Sequence, residues 1–227
     1  PTIISFTSTT ADGSYKSADT VNITATASEA VVSGNTITVT LDTSDNVSLT
    51  AAANGTTLVG TYTVSSADTS SDLTVNSFSI GTVTDSAGNA MTSTAVPATN
   101  IATGSAIVID TTAPTVISFT SSSDDGLYDD KPGTNNVNIT ATASEAVVSG
   151  NTITVTLDTG ATVVLTAPAN GTTLVGTYTV VAGNNSSDLT VSSFSIGTVT
   201  DSAGNVMTST SVPATNIDTD SDIVIST

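Results

Sequence analysis

Cysteine, histidine and tryptophan are absent from this 227-residue chain, and its basic side chains are Lys16 and Lys131 alone, so arginine is absent too. Without cysteine no disulfide can staple the fold and no thiol chemistry can run. Without His, Cys or Arg, the usual bases, nucleophiles and oxyanion partners of an enzyme are missing, and nothing resembles a nucleophile elbow or a phosphate loop. Paired carboxylates could still run glycoside chemistry, but such sites normally carry Trp or Tyr platforms over an apolar pocket, and none is visible. The chain is therefore read as not an enzyme. No signal peptide is recognisable, and no apolar run is long enough to span a bilayer.

Charge of one sign is scarce as well. Twenty acidic residues face the two lysines, for a formal net charge of −18. Such a surface repels nucleic acid phosphates and anionic membranes, which excludes both as partners. It also repels itself, and bound divalent cations are the obvious remedy. The near absence of Lys and Arg leaves trypsin-like proteases little to cut.

What is present is said twice. Pro1-Thr2-Ile3-Ile4-Ser5-Phe6-Thr7 opens one copy, and Pro114-Thr115-Val116-Ile117-Ser118-Phe119-Thr120 opens another. Residues Val21 to Thr43 and Val137 to Thr159 are identical, as are Asn54 to Val64 and Asn170 to Val180, and Ser77 to Asn89 and Ser193 to Asn205. Two domains follow, 1–113 with a linker at 109–113, and 114–227. Because Pro1 falls in phase with Pro114, the chain reads as a piece of a longer array of neighbouring repeats. The second copy carries a three-residue insertion in its first loop, Asp124-Asp125-Gly126-Leu127-Tyr128-Asp129-Asp130-Lys131-Pro132-Gly133, where the first has Asp12-Gly13-Ser14-Tyr15-Lys16. Lys131 there is most simply a surface ion-pair partner.

Period-two alternation runs through most segments. Val21, Ile23, Ala25 and Ala27 point one way while Asn22, Thr24 and Thr26 point the other, the mark of a half-buried strand. Ile37-Val39-Leu41, Leu49-Ala51, Leu58-Gly60-Tyr62-Val64, Phe78-Ile80 and Ile107-Ile109 repeat the pattern between Asp, Asn, Gly and Ser turn clusters. No window shows a helical period with caps. The fold class is all-β, as two tandem immunoglobulin-like β-sandwich domains of about seven strands each. Gly81, which breaks the alternation, is a candidate bulge. The segments 90–106 and 206–222 are long for a final hairpin and have no assigned role.

Glutamate occurs only as Glu29 and Glu145, the same position of the repeat. Each follows the second predicted strand. The loop after the sixth is Thr84-Asp85-Ser86-Ala87-Gly88-Asn89, repeated as Thr200-Asp201-Ser202-Ala203-Gly204-Asn205. In a seven-strand sandwich these loops share the end where the chain enters. Glu145, Asp201 and Asn205 are thus predicted to gather where the linker delivers Asp110. Carboxylates, an amide and nearby carbonyls supply the six to eight hard oxygens that Ca2+ takes at about 2.3–2.6 Å. Glu29, Asp85 and Asn89 form the equivalent site in the first copy, without a preceding linker Asp. Asp12, Asp68 and Asp72 are further candidate ligands at the opposite end. The competing reading needs no metal, because Asp-Ser-Ala-Gly-Asn is also a good hairpin turn in which Asp caps its own backbone.

Ile109-Asp110-Thr111-Thr112-Ala113-Pro114, Ser144-Glu145-Ala146-Val147 and Thr200-Asp201-Ser202-Ala203-Gly204-Asn205 together resemble the immunoglobulin-like (Big-type) repeats of large bacterial surface and biofilm adhesins. The resemblance covers both copies. It implies an extracellular, cell-surface location and a role as an extender whose linkers are rigidified by Ca2+. Ser226 stands where the joint has Asp110, so the pattern is not repeated at the second junction.

Other readings stay open beside that one. Outward Thr ladders could serve a carbohydrate-binding module, and a terminal strand could pair with the next subunit of a self-assembling filament or surface layer, giving homopolymer contacts. Asp218-Thr219-Asp220-Ser221-Asp222 resembles the start of an EF-hand loop but lacks the Gly and Glu that complete it, and reads as a solvated acidic strand edge. Asn22-Ile23-Thr24, Asn46-Val47-Ser48 and Asn54-Gly55-Thr56 match a glycosylation sequon that is common by chance in a Thr-rich chain.

Overall fold

A computed structural model describes residues 1–227, which divide into two compact units, Pro1–Thr112 and Ala113–Thr227. Unit one contains β1 (Ile3–Thr7), β2 (Gly13–Tyr15), β3 (Thr20–Val31), β4 (Thr36–Leu41), β5 (Asn46–Thr50), β6 (Gly55–Thr63), β7 (Thr69–Ser70), β8 (Val75–Ile80) and β9 (Ile107–Asp110). Unit two repeats the order as β10 (Val116–Ser121), β11 (Gly126–Tyr128), β12 (Asn136–Val147), β13 (Thr152–Leu157), β14 (Thr162–Thr166), β15 (Gly171–Thr179), β16 (Asn185–Ser186), β17 (Val191–Ile196) and β18 (Ile223–Ser226). The all-β expectation holds. The strand count exceeds the expected seven because β2 and β7, and their counterparts β11 and β16, are pieces too short to show alternation.

In unit one a six-stranded sheet runs β1-β3-β6-β5-β4-β8, and a small sheet runs β2-β9-β7. Phe6 and Phe78 lie on the strands at opposite ends of the larger sheet, yet their rings meet edge to face at 5.6 Å. The sheet must therefore fold over on itself, making a two-layered, sandwich-like body. The corner lies between β5 and β6, which share the single register pair Thr50↔Val59. Gly60 permits the turn: a Cβ there would stand 2.4 Å from the Ser48 carbonyl oxygen. Unit two has the same corner at Gly176 and the same ring pair, Phe119 and Phe194, at 5.5 Å.

Alternation decides what fills the space between the layers. Ile37, Val39 and Leu41 of β4 are fully buried while Thr36, Thr38 and Thr40 between them stay half-exposed. Each fully buried aliphatic chain contributes roughly 1.5–3 kcal/mol, which suits a fold with no disulfide.

The segment before β9 has a structural job that its sequence does not announce. Met91 is buried, Phe6 N–H donates to the Thr99 carbonyl at 3.0 Å, and a 3-10 turn at Ile101–Thr103 buries Ile101. Asn100 fixes this path, since its Oδ1 accepts from Val75 N and Ile101 N while its Nδ2 donates to Val75 O. The chain thereby covers the outer edge of β1, an edge that would otherwise present unpaired backbone groups. In unit two Phe119 N–H donates to Thr215 O in the same way, and Asn216 caps a four-residue helical turn, α1 (Ile217–Asp220). The acidic run at 218–222 is therefore mostly a helical turn, not a strand edge. Gly81 makes a close backbone approach, not a bulge: its N–H donates to Thr36 O at 3.0 Å, and a Cβ would meet Thr36 Oγ1 at 2.6 Å. No helix is long and apolar enough to cross a membrane.

Candidate functional site

The turn after β8 is tied by its own aspartate. Asp85 Oδ1 accepts from Ala87 N at 2.9 Å and Asn89 N at 2.8 Å, and its Oδ2 accepts from Asn89 Nδ2 at 2.6 Å. Asp85 is only 9% exposed, and the Asn89 side chain, then its backbone N–H, outweigh burial and hold the carboxyl below the usual range. The Ala87 N–H and the Pro1 ammonium add to that lowering. In unit two Asp201 Oδ1 accepts from Asn205 N at 2.9 Å and Oδ2 accepts from Asn205 Nδ2 at 2.7 Å, with Asp201 3% exposed.

Asparagine from the opposite side holds each turn against the sheet. Asn35 Oδ1 accepts from Thr84 N at 2.8 Å, and Asn151 Oδ1 accepts from Thr200 N at 2.7 Å. Both asparagines are buried. They are positioning residues that sequence reasoning missed, although their identity in the two copies was a usable signal. Backbone bonds Val32 N→Thr84 O and Val148 N→Thr200 O bring the strand carrying the glutamate to the same turn.

Contrary to the expectation from the sequence, Glu29 and Glu145 do not follow a strand. They lie within β3 and β12, in the irregular stretch between Thr26 and Val31 and between Thr142 and Val147 where the register with the neighbouring strand shifts. Strict alternation is lost there, which is how a carboxylate is accommodated in a strand whose earlier residues alternate into the core. In unit one Val31 bridges Asp85, so Glu29 and Asp85 do share one end of the fold. Glu29 pairs with the Pro1 ammonium at 2.7 Å. The corresponding nitrogen of Pro114 is a peptide nitrogen and carries no charge.

The entering chain is pinned beside each glutamate. Thr115 N donates to Ser144 Oγ at 3.0 Å while Ser144 N donates to Thr115 O at 2.8 Å, as Thr2 and Ser28 do in unit one. Asp110, the last residue of β9, sits in register with Thr69, and its Oδ1 accepts from Thr112 N at 3.1 Å.

The expected second ligand set does not converge. Asp12 accepts from Ala106 N just before β9, whereas Asp68 flanks β7, which pairs with the far end of β9 at Ile109 and Asp110. Four residues of strand separate those positions by about 13 Å, beyond the span of one ion's ligand shell. Asp72 follows β7, and its N–H donates to Ser70 Oγ.

Asp201 and Asn205, with Glu145 on the adjoining strand, offer carboxylate and amide oxygens and no sulfur or imidazole, a set that fits a hard cation such as Ca2+. Each Asp201 oxygen accepts one hydrogen bond where a carboxylate has capacity for two, so both retain a lone pair for a metal. Elsewhere, troughs of about 460 Å³ at Asn22, Thr24, Val59 and Thr61 and about 220 Å³ at Asn138, Thr140, Val175 and Thr177 carry no aromatic side chain on which a sugar ring could stack. Beside α1, Asp125, Asp218, Asp220 and Asp222 rim a concavity of about 160 Å³. No protein-family model matches the chain, and no curated protein is significantly similar to it.

Proposed function

We propose that the chain is a spacer of a large extracellular bacterial adhesin, built of immunoglobulin-like repeats, in which Ca2+ bound by Glu145, Asp201 and Asn205 and by Asp110 of the linker stiffens the joint. The observation that carries this reading is the gathering of Glu145, Asp201 and Asn205 at the end of unit two where its chain enters. Thr115, locked to Ser144 next to Glu145, fixes where the linker arrives. Asp110 precedes Thr115 by five residues, so it lies within about 18 Å of that point along an extended chain.

The chemistry assigned to the ion is electrostatic and mechanical. It neutralises carboxylates in a chain of net charge −18 and links a segment of one repeat to the end of the next. A filament formed by strand addition at β1 or β10 has less support, since Thr99 and Thr215 already accept from Phe6 N–H and Phe119 N–H there.

Calcium titration of the full chain, followed by thermal melting and small-angle scattering, tests the proposal. Bound Ca2+ should raise the melting temperature by mass action, about 2.7 kcal/mol at one hundred times Kd, and lengthen the maximum dimension of the chain in solution. Asp110→Ala and Asp201→Ala should each weaken both responses. Identical melting curves and dimensions in Ca2+ and in EDTA would remove the metal from the reading.

A further inference from the structure

In each unit one stretch of chain runs beside the larger sheet without joining it. In unit one it is 92–98, Thr-Ser-Thr-Ala-Val-Pro-Ala, and in unit two 208–214, Thr-Ser-Thr-Ser-Val-Pro-Ala. Its ends are fixed. Met91 N–H donates to Val83 O at 2.8 Å, Thr99 O accepts from Phe6 N–H at 3.0 Å, and the Asn100 side chain clasps the backbone of Val75. Val75 and Val83 stand eight residues apart on a run that stays paired with β4 as far as Thr82, so about 26 Å separates the two anchors. Nine residue steps join Met91 to Asn100, and fully stretched they reach only about 30–32 Å. The segment is therefore held close to full extension. Residues 92–98 exchange no backbone hydrogen bond with any strand, and the bond inside the segment runs from Ala95 N–H to Ser93 Oγ at 3.4 Å. Pro97 has no N–H to offer β8. Thr92, Thr94, Ala95, Val96 and Ala98 are exposed.

We propose that residues 92–98 are a site of limited proteolysis, at which an endopeptidase selective for small apolar side chains cuts the Ala95–Val96 bond of the folded chain. An extended backbone with free N–H and C=O groups can pair with the edge of a protease cleft as an added strand. Ala95 is the middle residue of the segment, so a cleft can grip the chain on both sides of its carbonyl. Its methyl suits the small specificity pocket of an elastase-type serine protease. Other exposed alanines are held in turns. Ala52 and Ala53 lie where Ser33 Oγ donates to Ala52 O and Ser33 N–H donates to Asn54 Oδ1, and Ala87 lies in the turn closed by Asp85. In the reaction water adds to the Ala95 carbonyl carbon as the bond to Val96 N breaks, leaving a carboxylate on one end and an amine on the other. The cut does not release the C-terminal piece, because β9 stays paired with β2 on one side and β7 on the other, with Ile101, Ile107 and Ile109 buried. Unit two has Ser211 in place of Ala95, and an apolar pocket would desolvate that hydroxyl, so unit one is cut first. The inference involves no metal and stands apart from the spacer reading.

Digestion of the full chain with elastase in EDTA under native conditions, followed by mass spectrometry, tests the site independently of any calcium binding. The first product should carry a single nick after Ala95, followed more slowly by one after Ser211. The nicked chain should elute as one species from a sizing column until denaturant is added. Ala95→Asp, which puts a charge where the pocket takes an apolar group, should slow the first cut about tenfold or more, and Ser211→Ala should bring the second cut up to the rate of the first. Both positions are exposed in an unpaired segment, so the variants should melt with the unaltered chain. A first cut outside 92–98 overturns the proposal, as do cuts scattered through the strands, which would mark entry through global unfolding. A rate indifferent to Ala95→Asp, or separation of the two pieces under native conditions, overturns it as well. Should a variant fold poorly, the position of the first cut in the unaltered chain decides alone.

Discussion

Units one and two share a fold to the level of single ring contacts, yet their loops solve the same local problems with different residues. Both turn the β4–β5 corner, or its β13–β14 counterpart, through a residue of positive φ. Unit one uses Ser44 at 75° and unit two uses Gly160 at 81°. Both anchor a buried tyrosine hydroxyl, unit one on Asp68 and unit two on Asn184. Both hold the strand-end turn through Asp42 or Asp158, and here they agree almost bond for bond, with serine hydroxyls at 2.6 Å in each. The lesson is that core-facing positions are fixed by packing between layers, while a loop position is fixed only by the bonds it must make, which more than one side chain can supply.

If packing is common to both units, its removal should cost both equally. Phe6→Ala and Phe119→Ala should each destabilise the unit concerned by about 3–5 kcal/mol, measured by chemical denaturation with unit-specific NMR probes. Unequal losses would show that the two cores differ. Next in size is the tyrosine pair. Tyr62→Phe should cost unit one about 1.5–3 kcal/mol because the lost bond goes to a charged acceptor, whereas Tyr178→Phe should cost unit two about 0.5–1.5 kcal/mol. Equal costs would erase the distinction between Asp68 and Asn184. A smaller effect of opposite sign is expected at the corner: Ser44→Gly should stabilise unit one by about 1 kcal/mol and Gly160→Ser should destabilise unit two by a similar amount, read from the same denaturation midpoints. Smallest of all, Lys131→Ala should leave unit two unchanged within error, because the bond to Asp129 is solvent-exposed and screened, even though Lys131 and Thr134 hold Asp129 at about 2.

Much of the fold was legible because it depends on short periods. Ile37, Val39 and Leu41 announce β4 by themselves, and the spacing of Asp85 and Asn89 announces a self-bonded turn, since the partners lie within one loop. The short strands β2 and β7 were not legible, because a strand of two or three residues has no period and exists only through its pairing with β9. Nor was the true placement of Glu29 and Glu145, which follows from a register shift against the neighbouring strand. The same limit hid Asn35 and Asn151, whose partners lie far along the chain.

The sequence by itself determined the two-fold repetition, the all-β class, the buried faces of the main strands and the acidic character of the chain. Each of these rests on composition or on interactions between near neighbours, which a linear string records directly. The tertiary structure alone decided that the larger sheet folds back at Gly60, that Thr99 covers the edge of β1, and that the Tyr62 hydroxyl lands on Asp68. Those depend on where distant segments are carried by the folded backbone, and no local pattern encodes such a meeting.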